Sequence, residues 1–406
     1  MKGDRTIAIV GAGLAGATAA QVLRDEGFVG RVVLLGEEAE RPYERPPLSK
    51  GYLQGETPRD KVFVHDAGWY AEHDVDLRLS ARVTGLDRRA HEVTLADGER
   101  VRYEALLLAT GSSPRRLQVP GAELSGVHYL RRLEDSDRLK SAFESSERVV
   151  VVGAGWIGLE SAAAARAAGL SVTIIEPAAL PLLRVLGPEV AQVFAGLHRD
   201  HDVDLRLRAG VSALVGADGA VTHVVLSDGT RLPADLVVVG IGVTPNTSLA
   251  ADAGLAVSDG VDVDEHLRSS DPDVYAAGDV AAAMHPSWGR RVRMEHWANA
   301  RHQGRTAALS MLGQDAVHDR LPYFFTDQYD LGMEYTGYAD GYDQVVVRGD
   351  VTTREFIAFW LRSGRVLAGM NVNVWDVVED VGELIRSGRQ VDVERLADPA
   401  VPLTAL

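Results

Sequence analysis

The feature that most constrains this chain is one local pattern that occurs twice, about 140 residues apart. Both copies, TIAIVGAGLAGATAAQVLRDEG and RVVVVGAGWIGLESAAAARAAG, pass from a β-branched run through Gly-x-Gly-x-x-Gly into an alanine-rich stretch of helical character. A second apolar strand follows each copy, RVVLLG or SVTII. This order predicts two βαβ units with parallel strands. The chain is therefore expected to be an α/β protein with two nucleotide-binding domains.

The spacing of the glycines has a physical reason in such a unit. The first glycine allows a tight turn, the second lets the backbone approach a pyrophosphate, and the third lets the helix pack closely on the strand. The helix N-terminus then presents unpaired N–H groups to the phosphates. The glycines in question are Gly11, Gly13 and Gly16 in the first copy, and Gly153, Gly155 and Gly158 in the second.

An acid ends the second strand of each copy. Glu37 follows RVVLLG and Glu176 follows SVTII, where a carboxylate can accept hydrogen bonds from ribose hydroxyls. Either acid could equally be an ordinary solvated strand end. Because strand, glycines, helix and acid all occur twice, the sequence predicts dinucleotide binding.

Composition excludes several classes of function. The 406 residues suffice for two or three domains, and the formal net charge of −16 argues against nucleic acid as a partner. The chain contains no cysteine, which removes disulfides, thiolate metal sites and self-ligated iron–sulfur clusters. We expect no metal site.

The N-terminus loosely imitates a signal peptide, because Lys2 and Arg5 precede an apolar run. Three glycines at strand-to-helix spacing favour the nucleotide-binding interpretation instead. No stretch reaches the roughly 18 apolar residues of a membrane span. We therefore expect a soluble, cytoplasmic protein that does not bind membranes.

Three further segments carry strand ends. ALLLATGSSP stops at Thr110-Gly111, and DLVVVGIGVTPN stops at glycine and proline, as crossover connections do. A short strand over 274–277 ends in Gly278-Asp279, and a helix is expected to follow it. Asp279 would then lie beside a helix N-terminus, although a turn with an N-cap explains the dipeptide as well.

Taken together, GAGLAG, ATGSSP, GAGWIG and YAAGDVA resemble the two-dinucleotide flavoproteins of the glutathione reductase class. RPYERPPLSKGYL, MEHWANARHQGRTAA and PYFFTDQYDLGMEYTGYADGYDQVVVRG more narrowly resemble the ferredoxin reductases of oxygenase systems, over nearly the whole chain. The resemblance implies two Rossmann-like domains, for FAD and for NADH, plus a C-terminal α+β domain. It places the FAD domain at 1–112 and 245–318, the NAD domain at 113–244 and the C-terminal domain at 319–406. The sequence pattern of the C-terminal domain also predicts short strands followed by one amphipathic helix, VWDVVEDVGELIRSG.

The resemblance also assigns FAD contacts by motif. It implies that the pyrophosphate is contacted by Gly11, Gly13, Ala15 and Gly16. It also implies that Glu37 contacts the adenosine ribose, that Asp279 contacts the ribitol, and that the isoalloxazine lies near Trp297 and Phe325. The remaining implied FAD contacts are Arg45, Lys50, Val83, Thr110, Gly111 and Arg131. Alternatives remain for four of them. Arg45 could form a surface ion pair, Val83 and Trp297 could serve as core, and Arg131 could form a salt bridge in a domain linker.

For the nicotinamide cofactor, the resemblance implies a turn at Gly153, Gly155, Ile157 and Gly158, with Glu176 on the ribose and Arg184 nearby. Arg184 is expected on the loop that follows the second strand. Glu160 is expected on the first helical turn, where a carboxylate could simply cap the helix. The resemblance instead pairs it with Lys50 beside the flavin, and makes these two the catalytic residues. An ammonium there would favour the negative charge that develops as the flavin is reduced.

The electrons must then leave the flavin, and this chain has no cysteine to receive them. A flavin can release electrons one at a time, which suits an acidic iron–sulfur ferredoxin with a [2Fe–2S] or similar single cluster, feeding a monooxygenase or dioxygenase. The stretch 290–305 has five arginines against one acid, Glu295, and would be either a docking rim for that carrier or a solvated face. We expect a monomer or weak dimer.

Two other functions remain open at this point. An NADH oxidase or monodehydroascorbate-type reductase would use the same fold with a different electron acceptor. A non-catalytic NADH-responsive scaffold resembling apoptosis-inducing factor would call for a targeting segment and a basic surface, and this sequence shows neither.

Overall fold

The computed structural model describes residues 5–406, which divide into two compact units. One unit comprises the described residues up to Glu44 together with Arg59–Ser113 and Val243–Arg320, and the other comprises Arg45–Pro58, Pro114–Gly242 and Leu321–Leu406. Except for Arg5, the charged N-terminal residues compared with a signal peptide lie outside the described part. No helix within residues 5–406 is long and apolar enough to cross a membrane.

The first unit is built on a five-stranded parallel sheet. Its strands, in spatial order, are Val274–Ala276, Ala105–Leu108, Thr6–Val10, Arg31–Leu35 and Val75–Arg78. The central strands are apolar without alternation, and Ile7, Ala8 and Ile9 are fully buried, as expected when both faces of a parallel sheet are covered. The first unit therefore has the architecture that its glycine motif predicts.

The remaining elements of the first unit are short, apart from two helices. The helix Leu14–Asp25 packs against the helix Trp297–Met311, and a Cβ on Gly304 would lie 2.4 Å from the carbonyl oxygen of Ala15. The other elements are the strands Val83–Asp87, Glu92–Leu95, Arg100–Arg102, Val261–Val263, Ala281–His285 and Arg290–Val292, the pair Ser112–Pro114 and Val243–Pro245, the helices Trp69–Glu72 and Ser248–Asp252, and the 3-10 turn Arg59–Val62.

One local prediction in this unit is wrong. After Gly278-Asp279 the chain forms the strand Ala281–His285 instead of a helix. The strand pairs in parallel with Val261–Val263 and antiparallel with Arg290–Val292, and its alanines are buried between these neighbours. Tertiary pairing thus overrides the helical preference of an alanine run.

The second unit repeats the strand order of the first. Its parallel sheet contains, in spatial order, Val127–Tyr129, Leu236–Val239, Arg148–Val152, Ser171–Glu176 and Asp204–Leu207. The strand before each glycine motif is central, and the strand that ends in the acid is its neighbour. An antiparallel sheet of Val211–Ala217, Ala220–Leu226 and Arg231–Pro233 adds to this unit, as do the helices Gly51–Gln54, Leu133–Glu144, Trp156–Ala167 and Leu183–Asp200 and the 3-10 turn Pro46–Ser49.

The C-terminal part of the second unit is an antiparallel five-stranded sheet with helices. The strands, in spatial order, are Tyr323–Gln328, Leu331–Gly337, Arg365–Val372, Glu355–Arg362 and Gln344–Asp350. They are followed by the helices Val378–Ser387 and Val393–Ala397 and the 3-10 turn Leu403–Ala405. The predicted strands and amphipathic helix are present. The helix begins at Val378, so the preceding VWDV is not helical.

Candidate functional site

The two glycine motifs form the same turn. Gly11 and Gly153 have φ values of 114° and 100°, which a residue with a side chain rarely adopts. A Cβ on Gly16 would lie 2.1 Å from the carbonyl oxygen of Gly11, and a Cβ on Gly158 would lie 2.1 Å from that of Gly153. The first and third glycines are therefore required by the fold of the turn itself.

The middle glycines have a different environment. Gly13 and Gly155 are the N-cap residues of the helices Leu14–Asp25 and Trp156–Ala167, and a Cβ on either would meet nothing within 4 Å. The open space lies where the free N–H groups of the helix start point. This arrangement suits a pyrophosphate in both units, so the residues present fit FAD and a nicotinamide dinucleotide.

The neighbouring motif residues have mixed exposure. Ala15 is buried, with its Cβ against Gly278 and its carbonyl oxygen against Gly304, which leaves only its backbone N–H for a phosphate. Ile157, in the first turn of the second helix, is 43% exposed. Val83 is half-buried and packs against the apolar core of the first unit, in line with a structural role.

The two predicted ribose acids differ. Glu37 is exposed and lies two residues beyond the strand Arg31–Leu35. Glu176 is the last residue of its strand, and its carboxylate accepts hydrogen bonds from the backbone N–H groups of Ala154 (2.8 Å) and Ala178 (2.9 Å). These bonds fix the Glu176 carboxylate beside the glycine turn. Arg184 is exposed and belongs to the first turn of the helix Leu183–Asp200, not to a loop as expected.

In the first unit, Asp279 is held by a residue that the sequence did not single out. Ser112 donates its hydroxyl to Asp279 Oδ2 at 2.7 Å, and Ser112 is buried. Burial lowers the pKa of His296, the N-cap residue of the helix Trp297–Met311, to about 4, with the charge of Asp279 opposing the change. Asp279 thus lies near a helix start after all, but near that of a later helix.

Two other predicted residues of the first unit have described contacts. Thr110 exchanges two 2.8 Å hydrogen bonds with Asn246, one from each side chain to the other backbone carbonyl, and Gly111 follows with a φ of 66°. Trp297 is half-buried at the first position of its helix, with the Arg301 guanidinium 4.8 Å from its ring centroid. Trp297 is therefore not a fully buried core residue.

The second unit brings Lys50 and Glu160 together. The Lys50 Nζ lies 2.7 Å from Glu160 Oε1, and the two side chains are only 15% and 4% exposed. Lys50 joins the 3-10 turn Pro46–Ser49 to the helix Gly51–Gln54, and its Nζ is 5.7 Å from the ring centroid of Phe325. The pair is therefore a buried ion pair with an aromatic ring beside it.

Glu160 has two further partners that sequence reasoning missed. Ser49 donates to Glu160 Oε2 and Thr326 donates to Glu160 Oε1, each at 2.5 Å. Both donors belong to segments that carried the resemblance, RPPLSK and FFTDQYD, which was the available signal. Glu160 is the fifth residue of the helix Trp156–Ala167, so it lies beyond the first turn and does not cap the helix. Its carboxylate serves the ion pair instead.

Arg45 and Arg131 also lie in the second unit. The guanidinium of Arg45 donates to the backbone carbonyl of Arg131, and the Arg131 backbone N–H donates to Asp135 at 3.1 Å. Arg45 is half-buried and lies just before the 3-10 turn that leads to Lys50. The RPPLSK segment is thereby attached to the start of the helix Leu133–Glu144.

The arginine-rich stretch 290–305 is not one uniform surface. Arg290 and Arg291 are exposed on a strand, whereas Arg293 is 10% exposed and contacts Glu295 at 2.5 Å and Asp259 at 3.3 Å. Arg301 lies over Trp297, and Arg305 lies 3.7 Å from Glu26. Arg293 therefore belongs to the fold, and a docking rim would rest on Arg290 and Arg291.

The predicted residues thus form two groups. One group, in the first unit, comprises Gly11, Gly13, Ala15, Gly16, Glu37, Val83, Thr110, Gly111, Asp279 and Trp297; the other, in the second unit, comprises Arg45, Lys50, Arg131, Gly153, Gly155, Ile157, Gly158, Glu160, Glu176, Arg184 and Phe325. Among the described residues, no group of histidine and acidic side chains is arranged to hold a metal ion. The segment Arg45–Pro58, which the sequence assigned to the first domain, clusters with the second unit.

Comparison with known proteins places this geometry in context. Residues 5–304 match the family described as pyridine nucleotide-disulphide oxidoreductase, and residues 323–406 match the family described as reductase C-terminal. The chain is 42% identical over 400 residues to the 5,5'-dehydrodivanillate O-demethylase ferredoxin reductase subunit of Sphingobium sp., covering 98% of this chain and 97% of that one. It is 38% identical to putidaredoxin reductase of Pseudomonas putida, covering 99% and 97%.

A solved structure agrees with these similarities. The reductase in the crystal structure of the covalent putidaredoxin reductase–putidaredoxin complex superposes with a TM-score of 0.96 at 37% identity, covering 99% of this chain and 98% of that one. The expected fold, two dinucleotide-binding domains with a C-terminal reductase domain, is confirmed.

Proposed function

Because the chain belongs to the pyridine nucleotide-disulphide oxidoreductases and is an NAD(P)H-dependent flavoprotein, we propose that it passes electrons from NADH through FAD, one at a time, to a small iron–sulfur ferredoxin. That ferredoxin would supply a monooxygenase or dioxygenase in the cytoplasm. The relatives that support this are the ferredoxin reductase subunit and the putidaredoxin reductase named above, both similar to the chain over nearly its full length.

The observation that carries the proposal is the buried Lys50–Glu160 pair in a chain that has no cysteine. The pair provides a positive charge for the reduction of a flavin by NADH. The lack of cysteine leaves both electrons on the cofactor, because no disulfide of this chain can take them as a pair. An external carrier that accepts single electrons is therefore the acceptor that this chemistry favours.

FAD supplies the step that side chains cannot perform, since it takes two electrons from NADH and releases them singly. The chain's own residues bind and orient. Glu160 holds the Lys50 ammonium at 2.7 Å, and Ser49 and Thr326 hold the Glu160 carboxylate. A cation that is fixed before the reaction stabilises developing negative charge without reorganising at that moment.

The choice of NADH over NADPH follows from Glu176. Its carboxylate, fixed by two backbone N–H groups beside the glycine turn, would accept hydrogen bonds from ribose hydroxyls and repel a 2′-phosphate. Arg184 opposes this preference only if it can reach that phosphate, since an arginine can hold one. We propose that the carboxylate dominates, because the backbone N–H groups of Ala154 and Ala178 hold it in place beside the glycine turn.

The docking surface for an acidic, single-cluster ferredoxin would include Arg290 and Arg291, which are both exposed on the strand Arg290–Val292. Positive charge there would raise the association rate and would be screened by salt over a Debye length of about 8 Å. The reductase itself would act as a monomer or weak dimer.

An acceptor panel tests the proposal. Purified enzyme loaded with FAD is supplied with NADH and, in separate reactions, a [2Fe–2S] ferredoxin, a quinone, ferricyanide or oxygen alone. We expect the ferredoxin to give the highest kcat/KM among the biological acceptors. Oxygen or quinone as the best acceptor would instead identify an oxidase or another reductase, and the absence of NADH oxidation with every acceptor would favour a scaffold.

A charge-reversal pair tests the docking surface. Arg290→Glu with Arg291→Glu should raise the KM for ferredoxin several-fold at low salt and leave ferricyanide reduction unchanged. Arg82→Glu, another exposed arginine of the same unit, serves as the matched control. A ferredoxin KM that responds neither to the charge reversal nor to ionic strength would locate the docking surface elsewhere.

A further inference from the structure

A buried chain of hydrogen bonds continues beyond the Lys50–Glu160 pair. Thr326 donates to Glu160 Oε1 at 2.5 Å, and Gln328 Nε2 donates to Thr326 Oγ1 at 3.3 Å. His198 Nε2 lies 2.9 Å from Gln328 Oε1, and the Tyr329 hydroxyl lies 3.2 Å from His198 Nδ1. Four consecutive hydrogen bonds thus connect Tyr329 to the carboxylate.

The middle of this chain is dry. Glu160 is 4% exposed, Thr326 and Gln328 are each 1% exposed, and His198 is fully buried. Thr326 and Gln328 are two residues apart on the strand Tyr323–Gln328, so their side chains leave the same face of the sheet. Apolar side chains would fill these positions without the cost of burying polar groups, which makes the polar chain a feature that packing alone does not require.

The donor and the acceptor of each hydrogen bond can be assigned in turn, starting from the Glu160 carboxylate. An ionised carboxylate only accepts, so the Thr326 hydroxyl must donate to Glu160 and accept from the Gln328 amide. The Gln328 carbonyl oxygen is then left to accept from His198, which must carry its proton on Nε2. His198 Nδ1 accepts from the Tyr329 hydroxyl. All four donors therefore point toward Glu160.

The protonation state of His198 agrees with this direction. Burial lowers the pKa of His198 to about 4, with the nearby His201 contributing and the bond to Gln328 opposing. A neutral imidazole has one donor and one acceptor, as the chain requires. At its outer end, His201 stacks on the Tyr329 ring with centroids 3.8 Å apart, and His201 Nε2 lies 3.7 Å from the exposed Asp330.

We propose that His198 is a positioning residue for the reaction with NADH, and that it acts through Gln328 and Thr326 to hold Glu160 in place for Lys50. The Gln328 amide donates to the Thr326 oxygen, which keeps the hydroxyl hydrogen turned away from Gln328 and toward Glu160 Oε1. The same oxygen contacts the Lys50 Nζ at 2.7 Å. Without the chain, the Thr326 hydroxyl can rotate and the carboxylate loses one of its fixed donors. This inference rests on the role proposed above for Lys50 and Glu160.

Matched ring variants test the proposal by stopped-flow reduction of the bound flavin with NADH. His198→Phe keeps a ring but removes both nitrogens, and we expect flavin reduction to slow by about fivefold to tenfold. Tyr329→Phe removes only the outermost donor and should cost about twofold. His201→Phe keeps the stacking on Tyr329 but lies outside the chain, and should leave the rate unchanged.

The coupling to Glu160 separates positioning from a general packing role. In a Glu160→Gln background, His198→Phe should slow flavin reduction much less than it does in the wild-type background. The reason is that Glu160, the residue through which His198 is proposed to act, has already been replaced. The loss should appear in the limiting rate of reduction and not in the apparent affinity for NADH. Equal losses in both backgrounds, or a loss confined to the affinity for NADH, would overturn the proposal.

A measurement without turnover completes the test. Nitrogen-15 NMR of histidine-labelled protein should show His198 neutral at pH 7, protonated on Nε2 and with a hydrogen-bonded Nδ1, and Tyr329→Phe should shift the Nδ1 signal. A proton on Nδ1 of His198 would contradict the proposed directions of the hydrogen bonds. If His198→Phe fails to fold, Tyr329→Phe and this spectrum still decide the matter. Neither measurement involves ferredoxin, so an enzyme that reduces no ferredoxin would refute the proposed acceptor alone.

Discussion

Replacing Lys50 with methionine should destabilise the second unit strongly. The variant keeps the unbranched side-chain stem but removes the cation that lies 2.7 Å from Glu160. Glu160 is 4% exposed, so its carboxylate would remain buried with only the Ser49 and Thr326 hydroxyls as described donors. Removing one partner of a buried ion pair costs about 3 to 5 kcal/mol. We expect a loss in that range from the free energy of unfolding.

The double variant Lys50→Met, Glu160→Gln should recover much of this loss. Glutamine carries no charge, and its one amide oxygen can accept from either Ser49 or Thr326, which now donate to different carboxylate oxygens, while its NH2 group can donate to the other hydroxyl. The penalty for an isolated buried charge therefore disappears, and a loss of about 1 to 2 kcal/mol for the altered hydrogen bonds should remain. Adding a second substitution should thus make the protein more stable than Lys50→Met alone.

Urea unfolding followed by circular dichroism measures these differences, with flavin reduction by NADH measured in parallel. Both single variants should slow flavin reduction, and the double variant should lose less than the sum of the two losses. Lys61→Met is the control, because Lys61 and its neighbour Asp60 are 73% and 69% exposed, and its effect should be below about 0.5 kcal/mol. Losses that simply add, in stability or in rate, would refute the reasoning.

Three further outcomes follow from the structure. Gly16→Ala should yield protein without bound flavin, because its Cβ would lie 2.1 Å from the Gly11 carbonyl oxygen, whereas Gly196→Ala, whose Cβ meets nothing within 4 Å, should keep its flavin absorbance. Steady-state kinetics should give a higher kcat/KM with NADH than with NADPH because of Glu176, and the reverse order would contradict that assignment. Burial lowers the pKa of His318 from 6.5 to about 3, so the unfolded chain binds the proton more tightly than the folded protein does. The free energy of unfolding should therefore fall as the pH drops from about 6.5 toward 3. His318→Asn should weaken this pH dependence when it is measured by urea titrations.

The glycine motifs predicted the central architecture because their geometry is local. The φ values of Gly11 and Gly153 and the contacts of Gly16 and Gly158 are properties of one turn, so a short stretch of sequence specifies them. The strand Ala281–His285 was mispredicted for the opposite reason. Its conformation depends on pairing with Val261–Val263 and Arg290–Val292, and a local pattern cannot show which strands will be neighbours.

The candidate site likewise contains residues that the sequence could assign and residues that it could not. Lys50 and Glu160 could be paired by resemblance, although 110 residues separate them. Ser49 and Thr326 were not assigned, since a serine or threonine becomes significant only when the fold brings it to a buried carboxylate. Arg293 shows the converse. Its place in a basic run suggested an exposed rim, and its ion pairs with Asp259 and Glu295 exclude that role.

The first unit is assembled from segments that lie far apart in the sequence, and this affects how it folds during synthesis on the ribosome. The strand Val274–Ala276 completes the sheet beside Ala105–Leu108, and the helix Trp297–Met311 covers the helix Leu14–Asp25. At roughly 5 to 20 residues per second, the nascent chain therefore waits on the order of ten seconds or more with one sheet edge and one helix face uncovered. The intervening nucleotide-binding segment can meanwhile assemble its own parallel sheet. Translation pauses placed before residue 274 should lengthen the exposure of that unfinished edge and increase aggregation of the nascent protein.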